Sequence, residues 1–94
     1  MNKSPLTQLQ LSPEVEAEID DILFDKQITS PKNLGQIIRM GRKQKNFTQT
    51  ELSDLAGVGR RFLSELENGK ETLEFGKVLQ VAHAAGFDLF AKRR

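Results

Sequence analysis

The sequence predicts an all-α domain of five helices that is followed by one short strand. Apolar residues recur at helical spacing in five segments, residues 13–25, 31–45, 48–56, 60–67 and 73–85. Glycine, proline or asparagine stands beside most of the breaks between these segments. Residues 87–91, Phe-Asp-Leu-Phe-Ala, begin with an apolar–polar–apolar alternation, which is the period of a strand.

The composition limits the protein to one modest core. A chain of 94 residues is long enough for a single domain. It has no cysteine, which excludes a disulfide framework, a thiol nucleophile and a thiolate metal site, and which agrees with a reducing cytoplasm. No apolar run approaches the roughly 20 residues of a membrane span, and the N-terminus lacks the order of a signal peptide. We therefore expect a cytoplasmic protein that does not touch a membrane.

Charge is distributed unevenly along the chain. Residues 1–30 contain two basic and six acidic residues, a net charge of −4, whereas residues 31–94 contain twelve basic and seven acidic residues, a net charge of +5. A basic domain behind an acidic leader indicates a polyanion as the partner of the domain. The alternative is a solvated surface with a chance imbalance.

The first predicted helix is amphipathic and acidic. Ser12 is a suitable cap and Pro13 a suitable first helical residue. Its apolar stripe consists of Val15, Ile19, Ile22 and Leu23. We expect this stripe to dock on the domain or on a second subunit, and the alternative is that it binds a separate partner protein.

The second predicted helix, residues 31–45, begins at Ser30-Pro31 by the same capping logic. Its inner side carries Leu34, Ile37, Ile38 and Gly41. Because glycine has no side chain, Gly41 allows close approach of a neighbouring helix. The far end of the helix is basic, which suits the negative end of the helix dipole. Phe47 in the following connection is expected to anchor the core.

Residues 48–70 have the layout of a helix-turn-helix. Thr48 and Glu51 form a predicted capping box at the first helix. Residues 57–59, Gly-Val-Gly, supply a tight turn in which the valine points inward. Asn68-Gly69 is expected to end the second helix in a left-handed conformation. The second helix of such a motif enters the major groove of DNA.

The last helix is predicted to turn a core face inward that consists of Val78, Leu79, Val81 and Ala82, and it ends at Gly86. The strand after it has no partner within an otherwise helical chain. We therefore expect it to pair with the same strand of a second subunit, with three side chains at the dimer interface: Phe87, Leu89 and Phe90.

Several short motifs resemble the Cro/phage-repressor, or xenobiotic-response-element, family of DNA-binding domains. They are Thr48-Gln49, Glu51-Leu52, Ala56-Gly57-Val58 and Leu66-Glu67-Asn68-Gly69-Lys70. The longer string GVGRRFLSELENGK, with the later Lys-Val-Leu helix and Gly-Phe-Asp-Leu ending, is similar to HipB-type antitoxins, small repressors encoded beside a HipA-type toxin kinase. The resemblance implies a lambda-repressor-like fold. We divide the chain into an acidic extension (1–30), a DNA-binding domain (31–86) and a dimerisation strand with a basic tail (87–94).

The resemblance also implies a function. It implies a homodimer that binds a palindromic operator in double-stranded DNA at the nucleoid, represses its own transcription unit and neutralises a HipA-type serine/threonine kinase toxin. The alternatives are a stand-alone repressor without a toxin partner and an adaptor that keeps the fold without binding DNA. Catalysis is not expected, because the chain has one histidine, no nucleophile elbow and no Walker-type loop. No cofactor or metal is expected either.

Arg60 and Arg61 begin the second helix of the motif, whose N-terminal residues reach base edges. Arginine binds guanine through O6 and N7, so both arginines are predicted to read bases. Ser64 and Glu65 lie one turn further on. Ser64 is expected to reach a base or phosphate, and Glu65 either to accept from cytosine or to limit wrong sequences. The alternative is that the arginines are solvated helix-surface charges.

Four residues are predicted to contact phosphates: Thr48, Gln49, Lys70 and Lys43. The resemblance implies that Gln49 also buttresses the second helix of the motif; otherwise it is an exposed glutamine at a helix start. The resemblance further implies a structural ion pair between Arg42 and Glu67, and the alternative is two independent surface charges. Gly59 departs from the family, which mostly has a hydroxyl residue there, so the resemblance does not imply a phosphate contact by a hydroxyl at this position.

Overall fold

The computed structural model describes residues 26–94 and shows four α-helices in this part of the chain. They are α1 (Pro31–Gln44), α2 (Gln49–Ala56), α3 (Arg60–Glu67) and α4 (Phe75–Ala84). The all-α class is confirmed, but the count of five helices is not, because the helix predicted at residues 13–25 lies outside the described residues. No helix between residues 26 and 94 is long and apolar enough to cross a membrane.

Helix starts follow from local sequence signals. The Ser30 side chain accepts a hydrogen bond from the Asn33 backbone N–H at 3.0 Å, and Pro31 opens α1. At α2 the Thr48 hydroxyl accepts from the Glu51 N–H at 3.1 Å, while the Glu51 carboxylate accepts from the Thr48 N–H at 2.9 Å. The predicted capping box is therefore confirmed.

The turn between α2 and α3 depends on one glycine. Gly57 has a φ of 74°, the left-handed conformation in which a Cβ would be strained. Val58 then turns inward and packs, half-buried, against the core as predicted. Gly59 precedes α3 without a side-chain hydrogen bond to the helix, so the hydroxyl cap common at such positions is absent.

The core lies where the four helices meet. Leu52, Leu63 and Val81, from α2, α3 and α4, have no exposed surface, and Phe47 packs on the cluster from the connection as predicted. Burying a side chain of this size contributes about 1.5–3 kcal/mol. The buried cluster consists of Leu34, Ile38, Leu52, Leu63, Leu66, Val78, Val81, Ala82 and Ala85.

The prediction that Leu79 belongs to the core is wrong. Leu79 is 42% exposed, although Val78, Val81 and Ala82 beside it are buried. With Ala85 those three occupy positions i, i+3, i+4 and i+7, which define a single stripe on α4. Leu79 lies beside that stripe and faces solvent.

Two glycines bring α1 into close contact with its neighbours. A Cβ built on Gly35 would lie 2.3 Å from the carbonyl oxygen of Leu66 and 2.8 Å from that of Glu67. A Cβ on Gly41 would lie 2.4 Å from the ring of Phe87. The close approach predicted at Gly41 therefore exists, but the neighbour is a side chain after α4. The contact between helices lies at Gly35, where α1 meets the end of α3.

Residues 87–94 form neither helix nor strand, so the predicted strand is not confirmed. Phe87 and Leu89 are half-buried against the core, whereas Asp88 and Phe90 are exposed. Burial therefore alternates over residues 87–90, and it leaves the apolar Phe90 on the exposed side. Because a β-ladder needs a second strand, pairing across a dimer stays a prediction.

We expect Gly35→Ala to lower the free energy of unfolding by about 1–3 kcal/mol, because the new methyl group collides with backbone carbonyls of α3. Gly76→Ala is the matched control, since a Cβ there meets no atom within 4 Å and alanine is the better helix former. Urea unfolding followed by circular dichroism measures both variants. Equal midpoints would contradict the close contact between α1 and α3.

Candidate nucleic-acid interface

A buried ion pair joins α1 to the end of α3. Arg42 Nε donates to Glu67 Oε2 at 2.7 Å, and Nη2 donates to Oε1 at 3.0 Å. The two residues are only 9% and 7% exposed. The remaining nitrogen, Nη1, donates to the Phe47 carbonyl oxygen at 2.9 Å. Two parallel bonds between planar groups fix the rotation of the helices as well as their separation.

Gln49 brings α2 into the same network. Its Nε2 donates to Glu67 Oε1 at 3.3 Å, so one carboxylate of α3 accepts from both α1 and α2. The hydrogen bond to Glu67 raises the pKa of Arg42, while burial acts in the opposite direction. Among residues 26–94 no buried side-chain nitrogen or oxygen lacks a hydrogen-bond partner. The cost of burying two charges is therefore offset by complete hydrogen bonding.

The other end of α3 is open to solvent. Arg60 and Arg61 occupy its first two positions and are exposed, and the side chain of Arg61 is 93% accessible. Ser64 and Glu65 follow one turn later and are half-buried. Residues four apart share a face of a helix, so the four predicted base-reading residues lie on one continuous surface.

The start of α2 carries two predicted phosphate contacts. The Thr48 hydroxyl oxygen accepts the capping bond, which leaves its proton available to a phosphate oxygen. Gln49 is half-buried, and its amide contacts Glu67, as expected of a residue that buttresses α3. Lys43 is exposed in the last turn of α1. Contact of these three residues with phosphate stays a prediction.

Lys70 forms an ion pair that the sequence reasoning missed. Gly69 has a φ of 84°, and the N–H groups of Gly69 and Lys70 return to the carbonyls of Leu66 and Glu65, each at 3.0 Å. This is a Schellman motif, and it carries the chain back over the end of α3. Lys70 Nζ consequently reaches Glu65 Oε2 at 2.5 Å. Asn68-Gly69 predicted the turn, and this turn was the feature of the sequence from which the contact between Lys70 and Glu65 could have been predicted.

Arg61 approaches the same carboxylate, with its Nε 3.9 Å from Glu65 Oε1. The hydrogen bond from Lys70 lowers the pKa of Glu65, and the charge of Arg61 acts in the same direction. The carboxylate is therefore ionised at neutral pH. Arg60, Arg61 and Lys70 outnumber this one carboxylate, so the exposed face of α3 attracts anions.

Metal ligands are not part of this surface. His83 is exposed in α4, and its Nδ1 lies 4.0 Å from an oxygen of Asp88, which is also exposed. In the part of the chain from residue 26 onward, no three His, Asp or Glu residues lie close enough to hold a metal ion. Besides the buried pair of Arg42 and Glu67, the site consists of four cations, two hydroxyls, the Gln49 amide and the Glu65 carboxylate.

The chain is similar in sequence to a domain family and to individual proteins. Residues 35–90 match the family described as helix-turn-helix domain. The uncharacterised HTH-type transcriptional regulator y4mF of Sinorhizobium fredii is 48% identical over 61 residues, which cover 65% of this chain and 80% of that protein. The ImmF control region 10 kDa protein of Bacillus phage phi105 is 34% identical over 58 residues, 62% of this chain and 64% of that protein.

Solved structures share the fold. Chains of a HipA-HipB-O2-O3 complex and of a HipB-O4 20mer complex each match with a TM-score of 0.67. Each match covers 73% of this chain and 97% of the other chain, at 20% sequence identity. This likeness shows the fold, and it confirms the architecture that the sequence resemblance implied.

Proposed function

Because the chain belongs to the helix-turn-helix family of transcriptional regulators, we propose that it is a sequence-specific repressor that binds double-stranded DNA in the cytoplasm. One observation carries the proposal. Arg60 and Arg61 stand exposed at the start of α3, while Glu67 at its other end is held in a buried ion pair. A helix fixed at one end and cationic at the other is suited to insertion into the major groove.

The proposal gives separate roles to the arginines of α3 and to the predicted phosphate contacts. The arginines donate to guanine O6 and N7, which discriminates bases by about 1–3 kcal/mol for each good bidentate contact. Thr48, Gln49 and Lys70 bind phosphates on either side of the reading helix and set its depth and register. Lys43 adds a cation at the end of α1. Affinity then comes mainly from phosphates, and specificity from α3.

The proposed assembly is a homodimer on a palindromic operator. A two-fold axis presents two copies of α3 to half-sites about 34 Å apart, one turn of the duplex. Phe87 and Leu89 already pack on their own core, whereas Phe90 is 75% exposed. Phe90 and the backbone edge of this segment therefore supply the contact with the second subunit.

We further infer a toxin partner, a HipA-type serine/threonine kinase, which makes this repressor an antitoxin. The support is the HipB-like fold together with the GVGRRFLSELENGK string in the sequence. We propose that the toxin contacts the acidic residues 1–30, so that the complex binds DNA and toxin together. The alternative is a stand-alone phage-repressor-like regulator without a toxin partner. A kinase-like reading frame beside this one would favour the antitoxin.

The function is tested by selecting duplexes from a random pool with the purified protein. We expect enrichment of one sequence with inverted half-sites. On this selected duplex Arg61→Ala should cost about 1–3 kcal/mol per half-site and relax the preference at one base pair, whereas binding to a scrambled duplex should fall much less. Lys70→Ala should weaken binding to the selected duplex and reduce the slope of log affinity against log salt concentration on that duplex by roughly one unit per contact.

Fluorescence anisotropy at several salt concentrations measures these changes. Arg39→Ala serves as the control, because Arg39 is an exposed arginine of α1 outside the proposed surface. A pool without an enriched sequence would contradict the proposed function. Equal losses on both duplexes for Arg61→Ala would leave the function standing but contradict base reading by Arg61.

We expect Phe90→Ser to weaken dimerisation, since it removes the large exposed apolar side chain of the C-terminal segment. Phe75→Ser is the matched control, because Phe75 is 64% exposed but lies on α4, away from that segment. Sedimentation equilibrium at low micromolar concentration distinguishes monomer from dimer. Wild-type-like association of Phe90→Ser, or equal weakening by both variants, would exclude this segment as the interface.

A further inference from the structure

Glu65 lies among the cations that we assign to DNA binding. Its carboxylate is 2.5 Å from Lys70 Nζ and 3.9 Å from Arg61 Nε. The three side chains are all accessible, at 30%, 45% and 93% respectively. A phosphate that approaches this surface therefore meets cations that already have a counter-ion on the same protein.

We propose that Glu65 lowers the affinity for non-matching DNA. Its carboxylate pairs with Lys70 and Arg61 until a DNA sequence offers it a new hydrogen-bond donor, and we call this arrangement the Glu65 gate. The proposal rests on the proposed function, which assigns this surface to DNA. On an arbitrary duplex Lys70 reaches a phosphate only by leaving Glu65. The carboxylate is then left without its partner beside a polyanion, and like charges at an interface are unfavourable.

A G·C base pair in the right position removes the cost of leaving the Glu65 carboxylate unpaired. In the major groove the N4 amino group of cytosine donates a hydrogen bond that a carboxylate can accept. Glu65 lies one helical turn after Arg61, so the two side chains can address neighbouring base pairs, with guanidinium on guanine and carboxylate on cytosine. The gate raises specificity by weakening binding to wrong sequences, which is a different effect from strengthening the right one.

The ion pair itself is measured in the free protein by NMR titration of the Glu65 side-chain carboxyl. We expect its pKa to lie below the ordinary value of 4.5 in the wild type and to rise toward that value in Lys70→Met. A lowered pKa means that the pair is present at neutral pH and is lost as the pH falls through it. An identical Glu65 pKa in both proteins would overturn the proposal, because Lys70 would then not be paired with Glu65 in the free protein.

The gate is then tested with Glu65→Gln on the selected duplex and on a scrambled duplex of equal length. Glu71→Gln is the matched control, since it removes the same charge from the residue next to Lys70, and Glu71 is exposed without an ion pair among the described residues. We expect Glu65→Gln to bind the scrambled duplex roughly five- to twentyfold tighter when two subunits contribute. Binding to the selected duplex should gain less than this, because the amide accepts from cytosine more weakly than the carboxylate does, so the ratio of the two affinities should fall. The slope of log affinity against log salt concentration on the scrambled duplex should steepen by up to about one unit per subunit.

Glu71→Gln should shift both duplexes slightly and equally, which leaves the specificity ratio unchanged. Equal effects of Glu65→Gln and Glu71→Gln would overturn the gate. A wild type that prefers its selected duplex, and a Glu65→Gln variant with the same preference, would remove the gate and leave the proposed function intact. Failure of the wild type to bind either duplex would remove both.

Discussion

The buried pair of Arg42 and Glu67 is the constraint on which the rest of the structure depends. It is the point where α1, α2, α3 and the connection before α2 meet, because Gln49 donates to the same carboxylate and the Phe47 carbonyl accepts from the same guanidinium. Removal of one partner of a buried pair typically costs about 3–5 kcal/mol, since a charge is left without compensation. A buried ion pair adds little stability relative to an apolar pair of similar size, so the main effect of this pair is to fix the relative positions of the helices.

This geometry gives α3 two ends of different character. The C-terminal end is immobilised by the ion pair, by contact with Gly35 and by the Schellman turn at Gly69. The N-terminal end carries exposed arginines. In the proposed function α3 holds its side chains in register with base pairs, and a rigid support reduces the entropy lost on binding. The carboxylate of Glu65 lies between the two ends, close enough to the cations to modulate them.

Much of the fold could be predicted because its signals are local. The capping box at Thr48 and the turn at Gly57 are encoded within a few residues, and both have the expected conformation. The predicted burial of Leu79 was wrong, because apolar periodicity does not show where the edge of a buried stripe lies. The Arg42–Glu67 contact spans 25 residues and was reached only through family resemblance. The ion pair of Lys70 was missed since it depends on the path of a turn, and pairing of residues 87–91 depends on a second chain.

The most direct test of the account compares Arg42→Met/Glu67→Met with both single variants, measuring urea unfolding and affinity for the selected duplex. If the pair provides geometry, each single variant loses about 3–5 kcal/mol of stability, while the double variant stays within about 2 kcal/mol of the wild type. The double variant should nevertheless bind DNA roughly tenfold more weakly, equivalent to about 1.4 kcal/mol, because Gln49 and α3 lose their common anchor. A double variant that is stable and binds with wild-type affinity would contradict the claim that this pair positions the reading helix.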